Sequence, residues 1–404
     1  MFSSTRKKDK IKKNTFFLRN GAAVLEQVIS YFNGDCNPIR SYSPEQLKKA
    51  TSNFQWKIHG DSSYDLYEGI HEDRKISVKR FKSDLREDHL KEIANEVAVA
   101  SRMSNHRNVL KLLGYCLETK FPILVYEFPT RVNLSSYIHD DIQQLPWECK
   151  LRIVTEIANA IGFLHNGLPK TIIHRDIKTR NVFLDQNDTA KLFEFQAAIP
   201  IPEGKNYVHA DAYGTFGFVA PEAAYRGLFT EKSDVYSFGV LLFEVLTGKK
   251  FTELIEGKYE LLDELSTSSL ELSNFQDNLL LGIQSDYFWV KIQAKYCELI
   301  YLEEQENIRA QVEECAKLAR RCVELNPDKR PNMIQVTIKG VVLLSVSLSR
   351  EVVPGFARIL MRTSLGKRHL VRPLLRTEIT QVVNRRAWYD ATKLTTEVLS
   401  LYKV

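Results

Sequence analysis

The chain has 404 residues, of which 44% are hydrophobic and 26% charged, and it carries a formal net charge of +6. That length is too great for one small domain and allows a large buried core, in a composition ordinary for a soluble globular protein. No run of about 18 apolar residues occurs, which excludes an expected transmembrane helix. The start, Met1-Phe2-Ser3-Ser4, has no apolar h-region of a signal peptide, and Phe2 stands where N-myristoylation needs glycine.

Six cysteines, at 36, 116, 149, 297, 315 and 322, lack metal-ligand spacing and read as reduced thiols of a cytosolic protein. The net charge is uneven. Residues 1–13 carry +5 and residues 350–404 carry +7, which leaves the body between them at −6. Basic ends on an acidic body could touch an anionic membrane surface or a partner, or be solvated tails.

In chain order, residues 1–20 read as disordered, and 22–32 as a short amphipathic helix through Val24, Leu25, Val28 and Ile29. Ser43-Pro44-Glu45-Gln46 reads as a helix start, with Ser43 as cap, Pro44 at the first position and Gln46 closing a capping box. Residues 56–58, 65–69 and 76–81 then read as three strands. A helix over 85–103 follows, capped by Ser83 or Asp84, with Leu90, Ile93 and Val97 on one face. Two more strands, 110–116 and 122–128, complete a small lobe of five strands and one long helix.

After Pro129 the pattern turns helical: 133–139, then 147–165 with the stripe Leu151, Val154, Ile157, Ile161 and Leu164. Residues 234–247 are nearly all apolar, as suits a helix inside a large domain. Residues 249–306 are irregular, with Trp289 the expected buried anchor. Helices over 306–325 and from about Met333 end the ordered pattern, and an Arg-rich tail follows.

The stretch His174-Arg175-Asp176-Ile177-Lys178-Thr179-Arg180-Asn181 carries the chemistry. An Asp to take a substrate proton and an Asn five residues on for a divalent cation are the catalytic-loop spacing of protein kinases. Lys178 suits a γ-phosphate contact. The companion motifs stand in register over about residues 55–346. Lys79 in Val78-Lys79-Arg80 resembles the third-strand lysine, Glu96 its helical partner, and Tyr126-Glu127-Phe128 the gatekeeper and hinge. Ala220-Pro221-Glu222 resembles the end of an activation segment, Asp234 begins the central helix, and Arg330 is the usual partner of Glu222. The whole resembles an α+β, bilobal protein-kinase fold with a β-rich N-lobe and an α-helical C-lobe. The expected divisions are a basic extension (1–54), N-lobe (55–128), C-lobe (129–346) and basic tail (347–404).

The wording narrows the resemblance. The run from His106 to Cys116, Gly214-Thr215-Phe216-Gly217-Phe218-Val219, and Lys232-Ser233-Asp234-Val235-Tyr236-Ser237-Phe238-Gly239 are similar to plant receptor-like kinases. With no ectodomain or membrane span, the chain looks like a receptor-like cytoplasmic kinase. Asn20-Gly21, Cys36-Asn37-Pro38-Ile39-Arg40 and the run from Gln46 to Phe54 resemble the ZRK group. That resemblance implies a kinase-fold adaptor, several of the group being pseudokinases. Its partners would be an intracellular nucleotide-binding leucine-rich-repeat (NLR) immune receptor and other receptor-like cytoplasmic kinases. No nucleic-acid partner is implied, and the expected location is the cytoplasm or the inner face of the plasma membrane.

By resemblance, Lys79, Glu96, Glu127 and Phe128 are ATP-binding positions, Asp176 and Lys178 catalytic ones, and Asn181 and Glu194 metal-binding ones. Arg175, Glu222, Asp234 and Arg330 are structural. Several of these have altered surroundings. A working Gly-rich turn brings backbone amides over the phosphates, where any Cβ obstructs. Here the three glycine positions hold His59, Asp61 and Tyr64. A carboxylate at 61 would repel a phosphate charge 4 Å away by about 1 kcal/mol in water and about 4 kcal/mol at an effective dielectric of 20. Asp-Phe-Gly becomes Glu194-Phe195-Gln196. The Glu carboxylate sits one methylene farther out, which Mg²⁺ geometry tolerates poorly, and Gln196 lacks glycine's permissive backbone.

From Glu194 to Tyr213 there is no Ser or Thr, so Arg175 has no phosphate acceptor upstream of Thr215. Glu203 or Asp211 is the expected fixed negative partner of Arg175, the alternative being a solvated arginine. Lys79 with Glu96 would either clamp phosphates or only position the helix. Asp176 would act as base or only hold its loop. Three functions stay open on these residues: an adaptor with little or no phosphoryl transfer, a weak ATP-dependent serine/threonine kinase, or a sensor that binds ATP as a ligand without turnover; ATP and Mg²⁺ are expected to bind weakly or not at all.

Overall fold

A computed structural model describes residues 2–35, 37, 39–140, 145–251 and 306–351. Strand-forming sequence gathers in the first part into one six-stranded sheet, and helices pack together in the second. The N-lobe strands are β1 (Arg40–Ser41), β2 (Lys57–Gly60), β3 (Tyr64–His71), β4 (Arg74–Phe81), β5 (Leu112–Cys116) and β6 (Ile123–Glu127), in the order β1-β5-β6-β4-β3-β2. All five expected strands are present. β1, parallel to β5, is an addition from the N-terminal extension. It approaches so closely that a Cβ at Gly114 would run into the Arg40 carbonyl.

The extension also covers the sheet's outer face. Helix α2 (Pro44–Ala50) starts with the expected capping box: Gln46 N donates to Ser43 Oγ at 3.2 Å and Ser43 N to Gln46 Oε1 at 2.8 Å. Leu47 then packs with Tyr42, Ile76, Val78 and Val125 in a small core on that face. With both faces covered, β4 is buried from Ile76 to Lys79 without alternation.

The N-terminus departs from expectation. Residues 1–20 read as disordered, yet one helix, α1, spans Phe2–Phe32. Tertiary contact stabilises what local sequence does not. Its buried side (Asn20, Gln27, Val28, Tyr31, Phe32) lies against α3 (His89–Met103), and Asn20 Nδ2 donates to the Leu117 and Thr119 carbonyls at 2.9 Å each. Lys170 Nζ donates to Ser30 O at 2.7 Å, so α1 touches both lobes. Helix α3 begins later than expected, at His89, with Asp88 at its cap and neither Ser83 nor Asp84 engaged there.

The C-lobe holds α4 (Leu134–His139) and α5 (Trp147–Asn166), then short pairs: β7 (Ile172–Ile173), β8 (Val182–Leu184), β9 (Ala190–Leu192), β10 (Ile199–Pro200), β11 (Val208–His209) and β12 (Leu228–Phe229), with α6 (Pro221–Arg226). Helix α7 (Glu231–Thr247) is buried nearly all round, as its apolar run predicts. At Gly239 a Cβ would lie 2.6 Å from the Cys322 Cβ, so α8 (Glu306–Cys322) can approach closely. The last helix, α9 (Met333–Glu351), packs on α5 and runs through the boundary expected at 346. Trp289 and most of the basic tail lie outside the described residues. No described helix is long and apolar enough to cross a membrane.

Candidate nucleotide cleft

The sheet and the helical lobe bring the motif residues to one cleft. Lys79 extends from β4, flanked by β3 and β6, and its side chain has no exposed surface. Its Nζ lies 2.7 Å from Glu96 Oε2, so the expected strand–helix ion pair is made. Lys79 Nζ also lies 2.5 Å from Glu194 Oε1. Two carboxylates therefore share one ammonium in a site closed to water. Burial pushes Glu96 up to about 7, against the pull of Lys79 and with Glu194's charge adding to the rise. The Tyr126 hydroxyl donates to Glu96 Oε1 at 2.6 Å, so the gatekeeper position is tied into the same cluster.

The rest of the ammonium's surroundings are aromatic. The Tyr64 ring centroid is 4.1 Å from Lys79 Nζ, with Phe81 at 5.0 Å and Phe193 at 5.1 Å. Tyr64, at one of the three glycine positions, is only 1% exposed. Phe193 packs edge-on against Tyr64, Tyr126 and Phe183, which builds a continuous aromatic filling from gatekeeper to turn. Among the described residues, these groups enclose the Lys79 ammonium completely.

Glu194 does not face an open metal site. Its Oε1 also accepts from Gln196 Nε2 at 2.6 Å, while Oε2 is buried without a hydrogen-bond partner. The left-handed backbone lies at Glu194 itself (φ 74°). Gln196 is not at positive φ, so the glycine's freedom is not needed at 196 in this arrangement. Phe195 is fully buried against the His174 ring, 5.2 Å between centroids, as a packing residue. Asn95, next to Glu96 on α3, donates to the Phe195, Gln196 and Ala198 carbonyls at 3.2, 3.0 and 2.5 Å and fastens the segment to the helix.

On the opposite wall Asp176 is held by three donors. Lys178 Nζ is 2.8 Å from Oδ2, Thr215 Oγ1 2.9 Å from Oδ1, and Asn181 Nδ2 2.8 Å from Oδ2. Asn181 Nδ2 also reaches the Asp176 carbonyl at 2.8 Å. Glu127 Oε1 takes the Lys111 amide at 3.2 Å and Lys191 at 3.4 Å, and Lys75 lies 5.0 Å over the Phe128 ring. The hinge side chains thus turn to protein partners.

Arg175 corrects an expectation. Among the described residues no carboxylate pairs with it. Its Nε donates to the Ala197 carbonyl and its Nη1 to the Asp211 carbonyl at 3.4 Å, not to that residue's carboxylate. The guanidinium lies 5.1 Å from the Phe229 centroid and 5.4 Å from Tyr213. Aromatic faces and carbonyl oxygens do the work expected of Glu203 or Asp211. The structural positions hold as expected. Arg330 grips Glu222 bidentately at 2.7 and 2.9 Å, and Asp234 accepts from the His174 and Arg175 amides at 2.8 and 3.0 Å while contacting His165 Nε2 at 2.8 Å.

Comparisons with known proteins point to the same fold. A model of the protein tyrosine and serine/threonine kinase family matches residues 62–339. The chain is 39% identical to the serine/threonine-protein kinase ZRK1 of Arabidopsis thaliana, over 83% of this chain and 93% of that protein. It is 38% identical to the non-functional pseudokinase ZRK2 over 82% of this chain and 90% of that one. With the non-functional pseudokinase ZED1 it shares 40% identity over 60% of this chain and 73% of that one, both from the same plant. The chain belongs to the protein-kinase family, in its ZRK group. The group's names divide between kinase and pseudokinase, so membership establishes the fold and leaves phosphoryl transfer to the cleft.

The family uses ATP with Mg²⁺. In the arrangement described, the residues do not fit that pair. A phosphate needs an open face of the Lys79 ammonium, and two carboxylates and three rings occupy it. A magnesium ion needs several well-placed oxygens, and one Glu194 oxygen already holds Lys79 and Gln196.

Of the expected site residues, the structure brings Lys79, Glu96 and Glu194 into one cluster and Asp176 and Asn181 into contact with each other. Asn95, Phe183 and Phe193 join them without a motif to mark them, and Tyr64 is marked in the sequence only as a lost glycine. The available signal was the run Leu192-Phe193-Glu194-Phe195, which puts a second aromatic beside the altered metal motif.

Proposed function

We propose that this chain works as a kinase-fold adaptor with little or no phosphoryl transfer. One observation carries the reading: the Lys79 ammonium is sealed by Glu96, Glu194 and Tyr64. A group that must grip a nucleotide is instead part of a closed internal cluster. The retained Asp176 and Asn181 fit the same reading, because each has protein partners that keep the loop in shape.

By resemblance to the ZRK group, the partners are an intracellular NLR immune receptor of plants and other receptor-like cytoplasmic kinases, met in the cytoplasm or at the plasma membrane. A feature of α1 supports a docking role. Ile11, Leu18, Leu25 and Ile29 recur at spacings of seven and four and are all more than half exposed, on the side opposite the one that packs on α3.

The test is a thermal shift with ATP, with and without Mg²⁺, beside a phosphorylation assay on the full chain and Asp176→Asn. The expected result is no shift and no phosphate incorporation. A binder at about 100 times its Kd would gain about 2.7 kcal/mol, readily seen as a raised Tm. The weak-kinase reading draws on the Asp176, Lys178 and Thr215 contacts. Incorporation abolished by Asp176→Asn would establish it and sink the adaptor reading.

A further inference from the structure

The turn between β2 and β3 is where a kinase would close backbone amides over phosphates. Here the Asp61, Ser63 and Tyr64 amides already have partners. Ser63 N donates to Asp61 Oδ1 at 2.7 Å and Tyr64 N to the same oxygen at 3.2 Å. The Ser63 hydroxyl adds a third bond to it at 2.9 Å. Asp61 N donates to Tyr64 O at 3.0 Å. A carboxylate from the chain itself thus sits where donors gather. Burial pushes the Asp61 carboxyl up, but these hydrogen bonds outweigh it and hold the group below its usual range.

The other two replaced glycines are occupied as fully. Tyr64 places its ring over Lys79, a cation–π contact in a site without water. His59 crosses to the C-lobe. Its ring packs edge-on against Phe183 at 5.6 Å, and its Nδ1 lies 3.4 Å from Asn133 Nδ2 at the cap of α4. Beside it, Arg180 Nη2 from the catalytic loop donates to Gly60 O at 2.8 Å. Lys82 Nζ closes the turn from behind through Asp61 O at 2.7 Å. Contacts from β4, the cap of α4, the catalytic loop and β8 thus converge on residues 59–64.

The geometry points to a self-liganded nucleotide site: the β2–β3 turn stands in for a nucleoside polyphosphate, with the Asp61 carboxylate taking the turn amides, Tyr64 taking the lysine, and His59 and Gly60 fastening the lobes together. The inference rests on the adaptor reading and deepens it. A fold clamped by its own turn keeps one closed shape whatever the ATP concentration, which suits a protein recognised by shape. It also implies that a polyphosphate site lies beneath the turn and is blocked by two side chains.

The test is to vacate the turn. Asp61→Gly with Tyr64→Val frees the amides and uncovers Lys79, while Val keeps a strand-forming residue on β3. Binding of ATP alone is measured by calorimetry and thermal shift on the full chain. The double variant is expected to bind ATP at least about tenfold more tightly than the native chain and to gain a few degrees of Tm. Tyr64→Phe, which keeps the ring, is expected to stay without ATP binding. A folded double variant that binds no better than the native chain overturns the inference and leaves the adaptor reading intact. ATP binding by the native chain overturns both. Should the double variant show no cooperative melt, amide hydrogen exchange on the native chain decides. Ser63 and Tyr64 amides as protected as the body of β3 support the inference, and free exchange there overturns it.

Discussion

The C-lobe framework and the cleft use motif residues in opposite ways. In the framework, Glu222 with Arg330 and Asp234 with the His174 and Arg175 amides form the contacts expected of them, and none needs a ligand. In the cleft, the residues whose expected partner is a nucleotide or metal have found protein partners. Lys79 has Glu194 and Tyr64 besides Glu96, Asp176 has Lys178, Thr215 and Asn181, and the turn amides have Asp61. The difference teaches that a retained motif residue need not signal retained chemistry. A buried charge without a partner is costly, so Lys79 is held in place by the cluster whether or not a phosphate ever arrives.

The comparison predicts that Lys79 now behaves like Arg330. Arg330→Met leaves Glu222 without its bidentate partner and should cost about 3–5 kcal/mol in chemical denaturation. Lys79→Met leaves Glu96 and Glu194 facing each other in a dry site and should cost a similar amount. Adding Glu194→Gln should return part of that loss, since one of the two unpaired charges is gone. Were Lys79→Met neutral in stability, the cleft would be a ligand site after all, and the two regions would differ less than the distances indicate.

A smaller effect tests how the activation segment is fastened. Asn95→Ala removes one donor group shared by three carbonyls. The expected loss is about 1–3 kcal/mol, with faster limited proteolysis between residues 194 and 213. Unchanged proteolysis would mean that Arg175 and its aromatic neighbours hold the segment without α3.

The smallest effect is a pH dependence. Burial lowers His59 to about 4 from an ordinary 6.5, so the folded state resists its protonation. Its contribution is fully present above pH 6.5 and is lost as pH falls toward 4, by at most about 1.4 kcal/mol per pH unit. Glu96 acts in the opposite sense. Its raised value gives a contribution present below 4.5 and lost as pH rises through about 7. His59→Phe should therefore lessen the loss of stability on acidification from pH 6.5 to 4, read from denaturation midpoints. An unchanged slope would place His59 in solvent, away from Phe183, and loosen the turn from the C-lobe.

Much of the molecule is legible in the sequence because its signals are local. The capping box at Ser43 and Gln46, the strand of residues 65–69 and the nearly all-apolar run of α7 each lie within one element, and each forms as read. The spacing from Asp176 to Asn181 likewise survives as a bond between the two. What escaped depends on contacts between distant segments. Asn20, past the middle of α1, meets carbonyls about a hundred residues away, a contact that no local pattern encodes. Arg175 has carbonyls and rings in place of an acid because the segment after Ala197 folds back across it.

The sequence by itself determined the family, the two-lobed fold, the identity of the paired residues and the loss of the glycine turn, since these follow from the resemblance of its ordered motifs to those of protein kinases. Only the tertiary structure decided what fills the vacated space. Removing glycines forbids a close approach of backbone to phosphate, but it does not say where the new side chains go. Their direction is settled by packing. Tyr64 turns inward because Lys79, Phe81 and Phe193 offer it a cationic and aromatic pocket at the meeting of two lobes, and no local signal encodes that meeting.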